Sequence, residues 1–145
     1  MASNATNRQT VREHLATLLN TSLDSAQKVY DYLPSDFGGQ TPVVCVTSMG
    51  SDRAQIGFGE DYNTAFSLGI IVYVLYAEEG TAYGEDDAED VLDTLEKEIA
   101  DVLMDSRQVS GKWDSLTHEG ATSIDYIEIG GATYKSEVIP VTIEE

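Results

Sequence analysis

The residues best suited to acid–base or nucleophilic chemistry are two histidines and one cysteine. His14 and His118 are the only histidines, and the members of a Ser-His-Asp triad can occur in any chain order. The sequence contains no GxSxG turn that would present a serine. Cys45 lies among valines, whereas a reactive thiolate needs positively charged neighbours. We therefore expect two solvent-facing histidines, a buried Cys45 and no enzymatic activity.

Two short glycine motifs match fragments of nucleotide-binding sites. The tripeptide 36–38 has the letters of the kinase magnesium motif (Asp-Phe-Gly), and the tripeptide 57–59 has part of a dinucleotide-binding loop (Gly-Phe-Gly). The remaining kinase motifs are absent from the sequence, and no third glycine follows the second tripeptide. We interpret the first as a turn and assign no cofactor to either.

The acidic run 85–90 is the candidate cation site of the sequence. An EF-hand loop requires D-x-[DN]-x-[DN]-G and a glutamate at its twelfth position, and the run lacks both. Carboxylates near the beginning of a helix also stabilise the helix dipole, which accounts for the run without a metal. We expect no metal site here.

The charge of the chain is large and unevenly distributed. The 145 residues carry 26 acids and 8 Lys and Arg, a net charge of -18, and residues 60–145 account for -17 of it. Segment 78–105 has 12 acids against one base, Lys97. Binders of duplex nucleic acid and of anionic membranes need clustered cations, so the charge argues against both. Trp113 and the eight tyrosines therefore indicate packing, because stacking platforms for single strands also need a cationic groove.

The elements that position these residues can be placed from hydrophobic periodicity and turn residues. The length suits one domain over 1–145, and the N-terminus has no apolar signal-peptide core. A helix is predicted at about 7–20, with Thr6 and Gln9 as a capping box. Strands are predicted at 28–33, 42–49 and 64–76, and a long flexible hairpin or arm at about 50–64. The third strand is apolar on both faces, which predicts either a central position in the sheet or one face against a helix and the other against a partner chain.

The second half of the chain contains one strongly periodic helix and the closing strands. Apolar residues with helical spacing predict the helix at about 86–106. Strands are predicted at 121–129, with a bulge or a twist, and at 133–143, joined by a turn at Gly130-Gly131; 113–118 is a further short candidate. Pro140 predicts that one side of the last strand is unpaired there. The fold class is α+β: a mainly antiparallel sheet with two helices packed on one face, in the order α-β-β-β-α-β-β.

This arrangement resembles the tail terminator (tail completion) proteins of long-tailed bacteriophages and related tailed viruses. The resemblance lies in the order of elements over about 8–143. It includes the Pro-Val-Val-Cys-Val strand at 42–46, the glycine-containing arm, the apolar strand 66–74, the helix segment 90–96 and the closing strand 138–143. The family has no invariant catalytic motif, so no catalytic residue is carried over.

The resemblance implies a structural virion protein that forms a ring, typically a hexamer. Such a ring caps the tail tube, ends tube polymerisation and provides the joint to the head or neck. The implied partners are further copies of the chain, the tail tube protein and a neck or head-completion protein. DNA passes through without specific binding, and no cofactor, metal or membrane is involved. The implied location is the head-proximal end of the virion tail, after assembly in the host cytoplasm.

Two groups of residues acquire expected roles from the resemblance. One group is expected to line the lumen and repel DNA: Glu78, Glu79, Glu85, Asp86, Asp87, Glu89 and Asp90. The other is expected to contact a neighbouring subunit or the tube from the arm: Arg53, Gln55, Phe58 and Tyr62.

Three alternatives remain open at the level of sequence. The chain could be another neck component, such as a head-completion or head–tail adaptor protein. It could also be a small ligand-binding domain, which would require a concave apolar pocket. The acidity itself has an alternative cause in a high-salt host, where acidic surfaces stay hydrated and ions screen their self-repulsion.

Overall fold

The computed structural model of the chain describes residues 7–38, 40–55, 62–75, 85–109, 113, 115–118 and 121–144. The predicted order of elements is confirmed, with the short candidate strand present before the last two strands. The elements in chain order are α1 (Arg8–Ser22), β1 (Lys28–Tyr30), β2 (Val43–Gln55), β3 (Tyr62–Leu75), α2 (Glu85–Asp105), β4 (Ser115–Thr117), β5 (Ser123–Ile129) and β6 (Ala132–Glu144).

The six strands form one sheet in the spatial order β1-β2-β3-β6-β4. Strand β5 pairs with β6 on the same side as β4 but farther along, because β5 pairs with residues 132–138 and β4 with residues 142–144. All pairs are antiparallel except β1 with β2, which is parallel. The sheet is therefore mainly antiparallel, as predicted, and β3 is central, as its two apolar faces predicted.

Both helices pack on the same face of this sheet. The apolar stripe of α1 and that of α2 meet one buried cluster formed by the alternate residues of β2, β3 and β6 that point to this side. Its main members are Val11, Leu15, Leu19, Leu92, Leu95, Ile99, Val44, Val46, Phe66, Leu68, Ile70, Ile139, Val141 and Ile143. The predicted placement of two helices on one face is confirmed.

The opposite face of the sheet is covered at one end by the chain itself. The loop between β1 and β2 turns back so that Phe37 packs on Tyr73 and Tyr134, with ring centroids 5.0 Å and 5.1 Å away. Asp36 Oδ1 accepts a 2.8 Å hydrogen bond from the N–H of Gly38. The tripeptide 36–38 is thus a turn, as predicted, and its phenylalanine is a core residue.

One local prediction is wrong and a second is narrowed. The residue that caps α1 is Asn7, whose Oδ1 accepts a 2.7 Å hydrogen bond from the N–H of Gln9, so the capping box with Thr6 is not the cap. Of the bulge or twist predicted in 121–129, the bulge is absent, because β5 keeps an unbroken register with β6. The shift of register lies instead in β2 between Ser48 and Gly50, which leaves Met49 as the additional residue.

The turn and the proline predicted in the last hairpin are both found. Gly130 and Gly131 have φ of +61° and +83°, the two left-handed residues that a type I′ hairpin turn requires. Pro140 pairs with Gly69 of β3 on one side. On its other side it falls between the partners of β5 and β4, and its carbonyl lies 2.9 Å from Nδ1 of His118. The missing N–H of Pro140 therefore costs the sheet no ladder hydrogen bond.

Candidate assembly surfaces

Strands β2 and β3 continue as a two-stranded hairpin past the end of the sheet. Ala65 is the last residue of β3 paired with β6, whereas β2 and β3 remain paired as far as Gln55 opposite Tyr62. The predicted arm at 50–64 is thus built of strand at both ends. Gln55 and Tyr62 form its outermost described pair, and Phe58 lies outside the described residues.

The base of this hairpin is held by α1. Nη1 of Arg8 donates to Oγ of Ser51 at 3.0 Å, and Nη1 of Arg12 donates to Oγ of Ser48 at 3.3 Å. These bonds flank the bulge of β2, where a bulge bends a strand and increases its twist. Arg53 is exposed farther out, with its guanidinium 5.5 Å from the centroid of the buried Phe66 ring. The direction of the hairpin is therefore fixed by contacts at its base.

The surface of α2 that faces away from the sheet is acidic. The helix contains ten carboxylates and one lysine. Of the residues expected to line a lumen, Glu89 and Asp90 are exposed on this helix, segment 85–87 forms its first turn, and Glu78 and Glu79 lie outside the described residues. Exposed carboxylates that the sequence analysis did not select continue the same surface along the helix: Asp93, Asp101 and Asp105.

Two carboxylates of α2 hold the fold together. Glu89 forms an ion pair with Lys135, whose side chain is nearly buried on β6. Glu98 accepts hydrogen bonds from the backbone N–H groups of Asp24 and Ser25 and from the Ser25 hydroxyl, which ties α2 to the loop after α1. A buried ammonium and a tight turn both need such an acceptor. Glu89 and Glu98 therefore have roles inside the fold that do not depend on any function of the acidic surface.

Strand β5 exposes apolar side chains on both of its faces. The exposed fractions are 54% for Ile124, 53% for Tyr126 and 40% for Ile127. No other described strand pairs with the outer edge of β5, so this edge also presents backbone groups of the ladder. The strand is predicted from the sequence, whereas the exposure of these three side chains is not. The sequence signal for this exposure is a strand with apolar residues on both faces in a chain whose two predicted helices both pack on one face of the sheet.

The opposite edge of the sheet is formed by β1. Lys28 is exposed there, with Nζ 5.5 Å from the centroid of the Tyr30 ring. A groove of about 490 Å³ runs between β1 and α1, lined in part by Ala16, Thr17 and Val29. Within the described ranges this edge, like that of β5, has no strand beside it.

A second groove lies between the end of α2 and β4. Its volume is about 420 Å³ and its apolar lining comes from Ala100, Leu103, Met104 and Leu116. It is the place where the alternative of a small ligand-binding domain would put its ligand.

The residues singled out for chemistry are used in packing. The prediction of solvent-facing histidines is wrong: His14 is half-buried with its ring 5.3 Å from that of Trp113, and the half-buried His118 contacts a backbone carbonyl. Nε1 of Trp113 donates to the Ser106 carbonyl at 2.9 Å, which satisfies this buried indole. Cys45 is fully buried, as predicted, and burial raises the pKa of its thiol to about 12.

The described part of the chain contains no cluster of three or more His, Cys, Asp or Glu side chains arranged to hold a metal ion. Neither described helix is long and apolar enough to cross a membrane. Lys97 and Asp101 form an exposed ion pair on α2, and the hydrogen bond from Lys97 to Asp101 raises the pKa of the lysine. The features left without a role inside the fold are therefore surfaces, namely the hairpin, the acidic helix and the two sheet edges.

Comparison with known proteins identifies the fold. No protein-family model matches the sequence, and a search of curated proteins finds no match. Among solved structures, the chain superposes on one from the virion of a native gene transfer agent particle with a TM-score of 0.51 and 16% identity, covering 99% of this chain and 98% of the other. It superposes on the gp17 protein of bacteriophage SPP1 with a TM-score of 0.51 and 12% identity, covering 94% and 89%. The resemblance drawn from the sequence is thus confirmed at the level of the fold, which the chain shares along nearly its whole length with both proteins.

Proposed function

We propose that this chain is a structural protein of the tail or neck of a phage-like virion and that it is not an enzyme. The observation that carries the proposal is the likeness over 99% of the chain to one from a gene transfer agent virion. The use of His14, His118 and Cys45 in packing supports it, since no described group of nucleophile and base remains available.

Within the virion we infer the role of a tail terminator. Copies of the chain form a ring, typically a hexamer, that caps the tail tube, ends its polymerisation and joins it to a neck or head-completion protein. The two edges of the sheet lie on opposite sides of the subunit, which supports a ring. A contact between different surfaces of neighbouring copies forms a closed ring when repeating its rotation brings the last copy back to the first. The hairpin with Arg53, Gln55, Phe58 and Tyr62 reaches beyond the sheet to the neighbouring subunit or the tube.

The acidic surface of α2 is proposed to line the lumen of this ring. Carboxylates repel the phosphates of passing DNA. They also make none of the cation–phosphate contacts that release counterions and hold DNA on a protein, so the genome moves without adhering. Of the acids first expected there, Glu89 already neutralises Lys135, so its contribution to the lumen charge is smaller than that of Asp90. The turn acids Glu78, Glu79, Glu85, Asp86 and Asp87 complete the proposed set.

Tube assembly in vitro tests the proposed role. Purified tail tube protein is polymerised with and without this chain, and tube lengths and tube ends are measured by electron microscopy. A terminator shortens the tubes and leaves a ring at one end. If the chain leaves tube length unchanged and binds only the isolated neck protein, the role is that of another neck component. If it binds neither, the assignment to the tail is wrong.

The lumen proposal is tested by neutralising the acidic surface. Asp90→Asn combined with Asp93→Asn should increase retention of linear DNA by the assembled ring, measured by filter binding. The matched control replaces Asp24 and Asp52, which are exposed on the loop after α1 and on β2, in the same way. Equal retention by both variants, or an image of the ring with α2 on its outside, contradicts the proposal. A melting series from low to multimolar salt tests the high-salt alternative, which requires salt to raise the melting temperature.

A further inference from the structure

Within the described residues, the two edge strands β1 and β5 have no strand beside them on their outer sides, and their residues are in register across the strands between them. Followed from partner to partner across the sheet, one row consists of Lys28, Val43, Tyr73, Ser136 and Asp125. Paired residues in a sheet project to the same face. The row therefore ends in a lysine at one edge and an aspartate at the other, both exposed and both on the face opposite the helices.

The next row has an apolar residue at each end. It consists of Val29, Val44, Val72, Glu137 and Ile124, and it projects to the helix side. Val29 is half-buried in the groove between β1 and α1, whereas Ile124 is exposed at the other edge. At one edge the groove thus holds the apolar side chains of Ala16 and Val29 within a mostly polar lining, and at the same level the other edge offers the apolar side chain of Ile124.

The strand directions at the two edges are also compatible. Strand β1 is parallel to β2, and each further step, from β2 to β3, from β3 to β6 and from β6 to β5, reverses the direction. Strand β5 therefore runs opposite to β1. A second copy placed beside the first at the same height brings the two edges together as an antiparallel pair.

We propose that β5 of each subunit pairs antiparallel with β1 of the next, so that the sheet continues from one copy of this chain into another. Asp125 then lies opposite Lys28 of the next copy, and Ile124 and Tyr126 enter the groove between its α1 and β1. This proposal rests on the proposed ring and supplies its subunit contact. The interface is head-to-tail, which is the type that closes into rings.

The edge of β5 carries a carboxylate that such a contact would use. Oδ1 of Asp125 accepts a 2.9 Å hydrogen bond from the N–H of Tyr126, so a local carboxylate supplies this N–H with its acceptor. The carboxylate retains lone pairs that an ammonium can use. In a chain of net charge -18, a lysine on one edge facing an aspartate on the other is an attractive contact between copies that otherwise repel.

Disulfide cross-linking tests the row alignment directly. Opposed residues of antiparallel strands have Cα atoms about 4.5–5.5 Å apart, within the range of a disulfide. The double variant Lys28→Cys/Asp125→Cys, oxidised at high protein concentration, should give a ladder of covalent multimers on a denaturing gel. The control Lys97→Cys/Asp125→Cys places the first thiol on exposed α2. A yield no higher than that of the control overturns the proposal. The native Cys45 is fully buried and stays in both variants.

Charge exchange tests the same contact without new covalent bonds. Lys28→Glu and Asp125→Lys should each lower the apparent association constant at least about tenfold, because each opposes like charges, and the double variant should restore it. Lys97→Glu is the matched control and should change association less than about twofold. Association is measured by analytical ultracentrifugation. Equal effects of Lys28→Glu and Lys97→Glu, or no restoration in the double variant, place the interface elsewhere.

The failure of this contact and the failure of the proposed function give different results. If rings form and shorten tubes but the cysteine pair fails to cross-link, the contact is wrong and the terminator role stands. If the pair cross-links into multimers that leave tube length unchanged, the contact is right and the terminator role is wrong.

Discussion

Replacement of Phe37 by alanine removes the ring that covers the face of the sheet opposite the helices. Phe37 is 1% exposed and stands over Tyr73 and Tyr134, with Tyr30 stacked beside it at 6.3 Å. It is carried by a loop, and both described helices pack on the other face of the sheet, so neither of them covers this cluster. The variant therefore measures how much of the stability of the subunit depends on the chain covering its own sheet.

The expected loss follows from the buried area and the cavity. A phenylalanine buries about 150–250 Å², which at about 25 cal/mol per Å² corresponds to roughly 4–6 kcal/mol as an upper bound. Measured Phe→Ala changes in cores are about 3–5 kcal/mol, with a cavity term included. We expect a decrease of about 4 kcal/mol in the free energy of unfolding. Phe37→Leu, which keeps most of the volume, should lose less than half as much.

Urea denaturation followed by circular dichroism is the measurement. With a slope of about 2 kcal/mol per molar, a loss of 4 kcal/mol shifts the midpoint by about 2 M. The control is Leu33→Ala in the same loop, because Leu33 is 47% exposed and should change stability by less than about 1 kcal/mol. The titration is repeated at two protein concentrations, since association adds to apparent stability. A loss below about 1.5 kcal/mol for Phe37→Ala refutes the account of this face.

Three further changes test separate parts of the structure. Burial raises the pKa of both Cys45 and Tyr73 to about 12, so the unfolded chain loses these protons at lower pH than the folded chain does. The free energy of unfolding should therefore fall as pH rises above the ordinary pKa values of 9.0 and 10.0. Thermal melts at increasing pH check this, and the fall should be smaller in Cys45→Ala. Glu89→Gln should lower the free energy of unfolding by about 1–3 kcal/mol in urea, because it leaves the Lys135 ammonium nearly buried without its carboxylate. Gly131→Ala should lower the melting temperature, with a cost of about 1 kcal/mol at φ +83°, and Gly131→Asn should lower it less because asparagine tolerates that conformation.

The elements found correctly from sequence are those whose signal is local and repeated. Helix α2, of 21 residues, differs from its predicted range by one residue at each end, because its apolar stripe recurs from Ala88 to Leu103. The central position of β3 followed from its two apolar faces. Pro140 correctly marked an unpaired stretch, because a residue without an N–H is confined to such places.

Apart from the cap of α1, the errors concern partners that are distant in sequence. Nothing near His14 indicates that Trp113 will lie against it, and nothing near Glu89 indicates that a lysine on β6 will be nearly buried beside it. A bulge was one of two readings of the change of hydrophobic phase in 121–129, because a bulge and a strand with apolar residues on both faces give the same sequence pattern. Strand β5 is such a strand, and its exposure depends on which neighbours the sheet order leaves it.

The acidity of the chain now separates into two parts with different causes. Glu89 and Glu98 have partners that the fold requires, a nearly buried ammonium and the N–H groups of a turn, so a neutral residue at either position costs stability. Asp90 and Asp93 are exposed on the same helix, and their mutual repulsion opposes folding at low salt. A surface of the second kind is the one that can repel DNA in the proposed ring. The neutralised Asp90 and Asp93 variant isolates that surface, because it leaves both carboxylates of the first kind in place.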